Sequence, residues 1–480
     1  MIIMDRNATA NIHSRNAQAT LQILLFGTIA TIVIAGFALW ADVNIKAAYR
    51  TFNKATAFAA AEAGIEYYRW HLAHAQQDFW DGQGSTSTGP YIHMYYDKNG
   101  NVLGQFELTI TPPATGTTIV SIRSVGKASA DPTVQKTINV RMATPSFAKY
   151  AVATAAPAIR FGIGTETFGP IHSNGGIRYD GLAHNAITSA LFSYDDPDHS
   201  GGNEFAVHTH VSPTDPLPTS TGSIPPSRPD VFIAGRQLSV APVDFNGITQ
   251  DLAGIKSSAQ SGGFYASSSG SNGYEVLLRT NHTFSFYRVT ATTTRPSGCT
   301  SDPWTIRTKT LVGTYPMPAN GIMFIEDHLW VTGQINNDRM TIGAGKFPDN
   351  PATRKNIIFN TSTRYTYYDG RDALGFIAQK NVSISLKSEN IIRVDGALIA
   401  QNGRVGRDYY NSSCGTGYTR QEITSYGMIG TNQRYGFAYT NGTGYQDRYL
   451  IYDVNLLYGP PPGFPLTTDG YEQISWDESQ

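Results

Sequence analysis

The first strong hydrophobic feature of the chain is a run of twenty residues, 21–40, without a charged side chain. Its length matches the roughly 20 residues that an α-helix needs to span the hydrocarbon core of a bilayer. Trp40 ends the run where an interfacial aromatic residue is expected. The run is long for the apolar region of a signal peptide, and no small-residue cleavage signal follows it closely. The pattern therefore predicts a membrane anchor that is retained.

A helical pattern continues beyond this run. Apolar residues recur at spacings of three and four, which is typical of one stripe of an α-helix. The stripe consists of Phe58, Ala61, Ile65, Tyr68 and Leu72. Glu66 and Arg69 lie off the stripe at i,i+3 spacing, and no proline occurs before Tyr91. One helix over residues 18–74, roughly 85 Å long, is therefore predicted. The alternative is a membrane helix, a hinge and a separate short helix on a domain.

A period of two replaces the helical period after residue 104. Apolar and polar side chains alternate in residues 105–111 and 134–143, and residues 117–128 form a third candidate strand between them. This alternation predicts an antiparallel sheet with one covered face. The expected organisation is a leader and helix over 1–74, followed by a small antiparallel head over 75–147.

Residues 148–480 have a different sequence pattern, in which short apolar segments alternate with glycines and polar turn residues. Phe376 and Leu398 begin two similar pieces and are 22 residues apart, which fits one coil of a parallel β-helix. Phe324 begins a third piece, and its 52-residue distance from Phe376 requires two coils or an insertion. The fold class predicted is α+β and mostly β, with a parallel β-helix (solenoid) as the large domain. A β-sandwich or an irregular β-domain is the alternative.

The amino-acid composition restricts the cellular environments and the binding partners that are expected. Charged residues make up 15% of the 480-residue chain, against a usual share of about a quarter. The net charge is −1 and no basic cluster stands out in the head, so nucleic acid is not an expected partner. The neutral, aromatic, strand-rich bulk predicts an N-terminus inside the cell and a head outside. Cys299 and Cys414 either pair in an oxidising compartment or remain two free thiols.

The segment "AFAAAEAGIEYYR", residues 57–69, resembles the N-terminal region of type IV pilins, and most closely the PilX-like minor pilins. The resemblance covers roughly residues 15–75. It implies that the helix leaves the membrane and packs beside those of other pilin-like subunits. It also implies a prepilin cleavage site between Ala17 and Gln18, with Gln22 at the family's acidic position. The family has Gly before the cut and Glu at that position, and a subunit without this Glu suits the tip of a fibre.

Histidines concentrate in one stretch of the large domain, at His172, His184, His199, His208 and His210. Beside them, Asp196, Asp198 and Ser200 have the 1-3-5 spacing of an oxygen-ligand loop, which predicts a Ca²⁺ site. The position of the bidentate Glu of an EF-hand is Val207, so that motif is incomplete. A Zn²⁺ site that uses His208 and His210 is a second hypothesis. A solvated acidic loop beside a structural histidine is the third.

Two functions of different classes fit these patterns. The first is a membrane-anchored, pilin-like surface protein, a minor or tip subunit whose large β head serves adhesion to a surface ligand or polysaccharide, or fibre assembly. It is not an enzyme, and no catalytic residue or further cofactor is predicted. The second is a membrane-tethered β-helix lyase or hydrolase of polysaccharides. Its candidate residues are Asp369, Arg371 and Asp372, beside Tyr365, Tyr367 and Tyr368, although a turn is the simpler interpretation.

Overall fold

The computed structural model describes residues 8–114, 116–245, 247–467 and 469–479. They form two compact units. The small unit contains residues 8–112, 120–142 and 473–479, and the large unit contains residues 113–119 and 143–472. Residues 473–479, at the end of the predicted large domain, thus cluster with the small unit.

The described residues contain two α-helices, α1 (Ala8–His74) and α2 (Gly247–Gly262), and the 3₁₀ helices Ser412–Cys414 and Val454–Leu456. The strands before α2 are β1 (Tyr91–Tyr96), β2 (Val102–Thr111), β3 (Ile119–Ala128), β4 (Asp131–Ala143), β5 (Val152–Thr154), β6 (Ala158–Phe161), β7 (Thr165–Phe168), β8 (Ile171–Ser173), β9 (Gly176–Tyr179), β10 (Leu182–Ala183), β11 (Ile187–Ser189), β12 (Ser193–Tyr194), β13 (Glu204–Phe205), β14 (Val207–His208) and β15 (Arg236–Gln237). The strands after α2 are β16 (Phe264–Ala266), β17 (Gly273–Arg279), β18 (Thr283–Thr292), β19 (Ile306–Pro316), β20 (Ile322–Ile325), β21 (Leu329–Gln334), β22 (Arg339–Ala344), β23 (Ile357–Phe359), β24 (Thr363–Arg364), β25 (Ala373–Ala378), β26 (Val382–Ile384), β27 (Ile391–Ala400), β28 (Val405–Arg407), β29 (Thr419–Thr431), β30 (Gly444–Tyr452) and β31 (Glu472–Ser479).

Helix α1 is continuous over 67 residues, which corresponds to about 100 Å. It passes Trp40 without a break, so the prediction of one helix rather than two is confirmed. The predicted stripe is its buried face, since Ala61, Ile65, Tyr68 and Leu72 are fully buried. Phe58 is only half-buried, because it lies at the edge of this face and Ala57 lies nearer its centre.

The small unit is a five-stranded sheet in the order β1-β2-β3-β4-β31, and β1–β2 and β2–β3 are antiparallel as predicted. Gly126 in β3 lies directly against the main chain of α1, because a Cβ there would overlap the Ala57 carbonyl oxygen and the Ala61 nitrogen. The sheet gains its fifth strand from the C-terminus, where Lys136 of β4 pairs with Glu478 at 2.8 Å. The sequence gives no local sign of this pairing, which joins residues more than 300 positions apart.

Parallel strands dominate the large unit and align its core side chains in one stack. In successive pairings the stack runs through Met323, Ile342, Phe376, Leu398, Ile429, Val152, Ile171 and Ile187. All eight side chains are buried, so each strand covers the apolar side chain of its neighbour. Phe376 pairs in parallel with Leu398, which follows it by 22 residues. Phe324 is not in register with Phe376, because it pairs with Gly343 of β22, which in turn pairs with Ile377 of β25.

Two more parallel ladders accompany this stack. One joins β17, β21, β23, β26 and β28, and the other joins β24, β27, β29, β30, β7 and β10. Their inward residues, such as Ile357, Val382 and Leu450, belong to the same core cluster as the first stack.

The order of strands in space differs from their order in the chain. Val152, near the start of the large unit, pairs with Ile429, near its end. The large unit therefore enters the stack in its middle, at β5. From there the chain extends the stack to β15, and it then continues at the opposite end of the stack with β16. Helix α2 makes that return and packs on β20 and β22, where Leu252 and Ile255 are buried.

Candidate functional site

Helix α1 carries a second apolar stripe that its own sheet leaves uncovered. Ile45, Tyr49 and Phe52 are spaced by four and three residues and are 55%, 67% and 65% exposed. At 100° per residue their stripe lies roughly 160° around the helix from the buried stripe of Ala61, Ile65, Tyr68 and Leu72. These residues follow Trp40, so they lie beyond the membrane-length apolar run.

The lower part of α1 is the one described helix that is long and apolar enough to cross a membrane. Over residues 18–74 it includes an eighteen-residue stretch with mean hydropathy 2.3, and none of that stretch is buried. The predicted cleavage residues lie at its start. Gln18 and Gln22 are exposed, while the side chain of Ala17 lies outside the described residues.

Three of the five histidines come together beside two short strands of the large unit. Strands β12 and β13 form a hairpin in which Tyr194 faces Glu204, and β14 pairs in parallel with β9, which places His208 opposite Arg178. Asp196 follows β12 by two residues. His208 and His210 are separated by two residues, the period at which side chains of an extended chain share one side.

The distances within this group are those of a candidate metal centre. Asp196 Oδ2 lies 3.6 Å from His208 Nε2, and His210 Nε2 lies 3.7 Å from Glu204 Oε1. One potential ligand atom from each of Asp196, His208 and His210 lies within 4.8 Å of the other two, and His199, Glu204 and His210 form an overlapping set. His199 Nδ1 and Glu204 Oε1, however, already contact each other at 2.8 Å.

The surroundings favour neutral imidazoles. Burial lowers the pKa of His208, and burial together with the Arg178 guanidinium lowers the pKa of His210. His208 Nδ1 lies 3.2 Å from the Phe205 carbonyl oxygen, so the neutral ring donates from Nδ1 and keeps a free lone pair on Nε2. A neutral imidazole with one free nitrogen is the form that binds a metal.

The predicted oxygen-ligand loop is not assembled, and only Asp196 of its three residues joins the histidine group. The carboxylate of Asp198 pairs with Arg434, and this hydrogen bond lowers the pKa of Asp198. Ser200 is exposed. The chain turns here, and Asp198 Oδ2 meets a cation from another loop.

The two remaining histidines of the stretch lie elsewhere. His172 is buried in β8 and contacts Thr188 Oγ1 at 2.9 Å, while His184 pairs with Glu166 at 2.7 Å. His184 also stacks on the ring of Phe168, with centroids 4.1 Å apart.

The residues suggested for polysaccharide chemistry do not converge. Asp369 and Arg371 are exposed and pair with each other at 2.8 Å, while Arg371 covers the ring of Tyr367. Asp372 is buried and accepts backbone N–H groups from Asp338, Thr366 and Tyr367. The segment is thus the ion-paired turn that was the simpler interpretation.

A buried carboxylate near this turn was missed in the sequence. Asp395 is fully buried, accepts hydrogen bonds from the Tyr365 N–H at 2.9 Å and the Tyr368 hydroxyl at 2.7 Å, and pairs with Arg393. Burial raises its pKa. These partners satisfy the hydrogen-bonding capacity of the carboxylate, which is shielded from solvent. Asp395 therefore links neighbouring turns. The sequence signal was weak, since Asp395 lies inside an apolar strand.

A cavity of about 520 Å³ opens on the large unit near Asp198 and Arg434. Arg160 and Arg404 also line it, and Tyr439 lies within hydrogen-bond reach of Arg404 at 2.8 Å. Guanidinium groups and an aromatic ring in one cavity can bind a hydroxylated, anionic group.

Comparison with known proteins gives matches among solved structures only. The sequence matches no protein-family model and no characterised protein sequence. Among solved structures, the chain is similar to the competence-associated pilin ComZ from Thermus thermophilus, at 12% sequence identity and a TM-score of 0.31. The likeness covers 89% of this chain and 98% of that chain. A TM-score of this size does not establish a shared fold.

Proposed function

We propose that this protein is a membrane-anchored, pilin-like subunit of a type IV pilus-like fibre, in a minor or tip position. The lower half of α1 lies in the membrane. The upper half packs one face on its own sheet and offers the other to the helices of neighbouring subunits. The observation that carries this proposal is the exposed apolar stripe of Ile45, Tyr49 and Phe52 beyond the membrane-length run.

The physical reason is the cost of leaving that stripe in water. Full burial of one large apolar side chain is worth roughly 1.5–3 kcal/mol, and the described residues leave all three of these side chains more than half exposed. A simple tether needs no such face. Contiguous exposed apolar residues mark interaction surfaces, and a neighbouring helix of the same shape fits a narrow stripe at helical spacing.

In such a subunit, the large unit is the head that is displayed outside the cell. We propose that its three parallel ladders form a parallel β-helix, with one side chain of each coil stacked on the next. Cys299 and Cys414 are joined by a disulfide in this unit. Structural disulfides persist in oxidising compartments, which supports a head outside the cell and an N-terminus inside.

Two finer proposals concern the start of α1 and the cavity of the large unit. Cleavage between Ala17 and Gln18 would leave Gln22 in place of an acidic residue, which suits a subunit with no neighbour ahead of it. The arginine-lined cavity of the large unit beside Arg434 suits adhesion through an anionic polysaccharide or another surface ligand.

Shearing cells that produce the protein tests the proposal. The expected result is recovery of the full head in the sheared surface fraction, together with other pilin-like subunits, with a mature N-terminus at Gln18 by mass spectrometry. A cytoplasmic-membrane protein of similar size is the control and stays with the cells. Retention of the protein with the cells, uncleaved and unassociated with other subunits, would contradict the fibre role and leave an anchored surface protein.

A further inference from the structure

Two buried polar atoms of the large unit face each other without a hydrogen-bond partner among the described residues. They are Asp196 Oδ2 and His208 Nε2, on residues that are only 3% and 1% exposed. Asp196 Oδ1 is different, since it accepts the N–H of Asp198 at 3.0 Å. Buried polar atoms are nearly always hydrogen-bonded, so an unpaired carboxylate oxygen and an unpaired imidazole nitrogen that face each other indicate a missing third group.

The spacing of these atoms suits a small cation between them. Ligands about 2.05 Å from a tetrahedral zinc ion lie about 3.4 Å from one another, and Asp196 Oδ2 and His208 Nε2 are 3.6 Å apart. His210 supplies a third ligand atom within 4.8 Å of both. The Phe205 carbonyl orients the His208 ring, which is the supporting contact that metal-bound histidines usually have.

We propose that Asp196, His208 and His210 bind one Zn²⁺ ion, with water at the fourth position. Two imidazoles and one carboxylate are a zinc-type ligand set, whereas Ca²⁺ takes six to eight oxygen ligands. Glu204 is not the fourth ligand, because it already holds His199 and accepts the N–H of Asp196 at 3.3 Å. Water reaches the site from the side of His210, which is only half-buried.

The charges around the site are compatible with a bound dication. Arg178 is the nearest cation, and its Nη1 lies 3.8 Å from Asp196 Oδ2. Its Nε donates to Asp180 at 2.8 Å, which offsets part of its charge, since Asp180 also pairs with Arg160 at 3.3 Å. Asp180 also accepts the N–H of His210 at 2.9 Å, which fixes the position of the third ligand. The ion would join the loop after β12 to the residues at and after the end of β14, and so link the β12–β13 hairpin to the parallel pair of β9 and β14.

Zinc titration of the full chain in detergent micelles, after removal of metal with a chelator, tests this site. We expect one Zn²⁺ per chain after gel filtration, and a rise in the thermal midpoint as zinc is added. Asp196→Asn and His208→Gln each lower the affinity for zinc by at least about 100-fold, since loss of outer-sphere contacts alone costs 10–100-fold. His184→Gln is the matched control, because it removes a histidine paired with a carboxylate 2.7 Å away but outside the cluster.

Three results would overturn the proposal. They are no zinc retained by the wild-type chain, equal retention by the two ligand variants and the control, or binding of Ca²⁺ that Asp198→Asn abolishes. Co²⁺ in place of Zn²⁺ gives a readout on the wild type that does not depend on the folding of the variants. Strong visible absorption of the four-coordinate type supports the site, and the weak spectrum of six-coordinate Co²⁺ contradicts it.

Discussion

Gly126→Val is expected to destabilise the small unit by about 3 kcal/mol or more. The valine Cβ would overlap the Ala57 carbonyl oxygen and the Ala61 nitrogen, and it would lie 3.0 Å from the Ala61 Cα. All three are main-chain atoms of α1, which cannot rotate away as a side chain can. The upper half of α1 must therefore move off the sheet. Hydrogen exchange of the full chain in micelles measures this, and we expect faster exchange over residues 53–72 and in β1–β4.

Arg123→Val is the matched control, because it puts the same side chain on the same strand at an exposed position. Exposed substitutions of this kind usually change stability by less than about 0.5 kcal/mol. Unchanged exchange over residues 53–72 in Gly126→Val would mean that the helix does not dock on β3 as described.

Removal of the disulfide is expected to cost about 4–5 kcal/mol in the chain-entropy account, since Cys299 and Cys414 are 115 residues apart. Both cysteines are buried beside Leu386 and Tyr410. Cys299→Ala with Cys414→Ala removes the crosslink without placing a hydroxyl group in this cluster. Urea unfolding of the full chain, followed by the fluorescence of its tryptophans, measures the shift of the midpoint.

Reductant supplies the control for this experiment. It should lower the midpoint of the wild type to that of the double variant and leave the double variant unchanged. A wild-type midpoint that does not respond to reductant, with free thiols detected in the unreduced protein, would show that the two cysteines do not pair.

The long helix could be predicted because its signals are local. A charge-free run, helical spacing of Phe58 to Leu72 and the lack of proline each depend on neighbouring residues only. The same holds for Phe376 and Leu398, whose 22-residue interval is one strand-to-strand pairing. The exposed stripe at Tyr49 and Phe52 was not recognised, because an apolar residue on a helix has the same pattern whether a sheet covers it or not.

The remaining features depend on contacts between distant parts of the chain. Nothing near Val152 indicates that it pairs with Ile429, or that β31 completes the small sheet. The candidate metal site was predicted in part for the same reason. The sequence analysis placed Asp196 in a Ca²⁺ loop with Asp198 and Ser200, and it named His208 and His210 separately for Zn²⁺. A spacing rule for a single loop does not join these two sets. The ligand atoms that the structure brings to Asp196 come from β14 and the residues after it.

Site-specific photo-crosslinking in intact cells tests most directly whether α1 joins a shared bundle. A phenylalanine photo-crosslinker replaces Phe52, which is 65% exposed, or Phe58, which is half-buried towards the sheet. We predict products between position 52 and the N-terminal helix of another subunit, and none between subunits from position 58. Lipid adducts alone at position 52, or equal intermolecular products at both positions, would contradict the account.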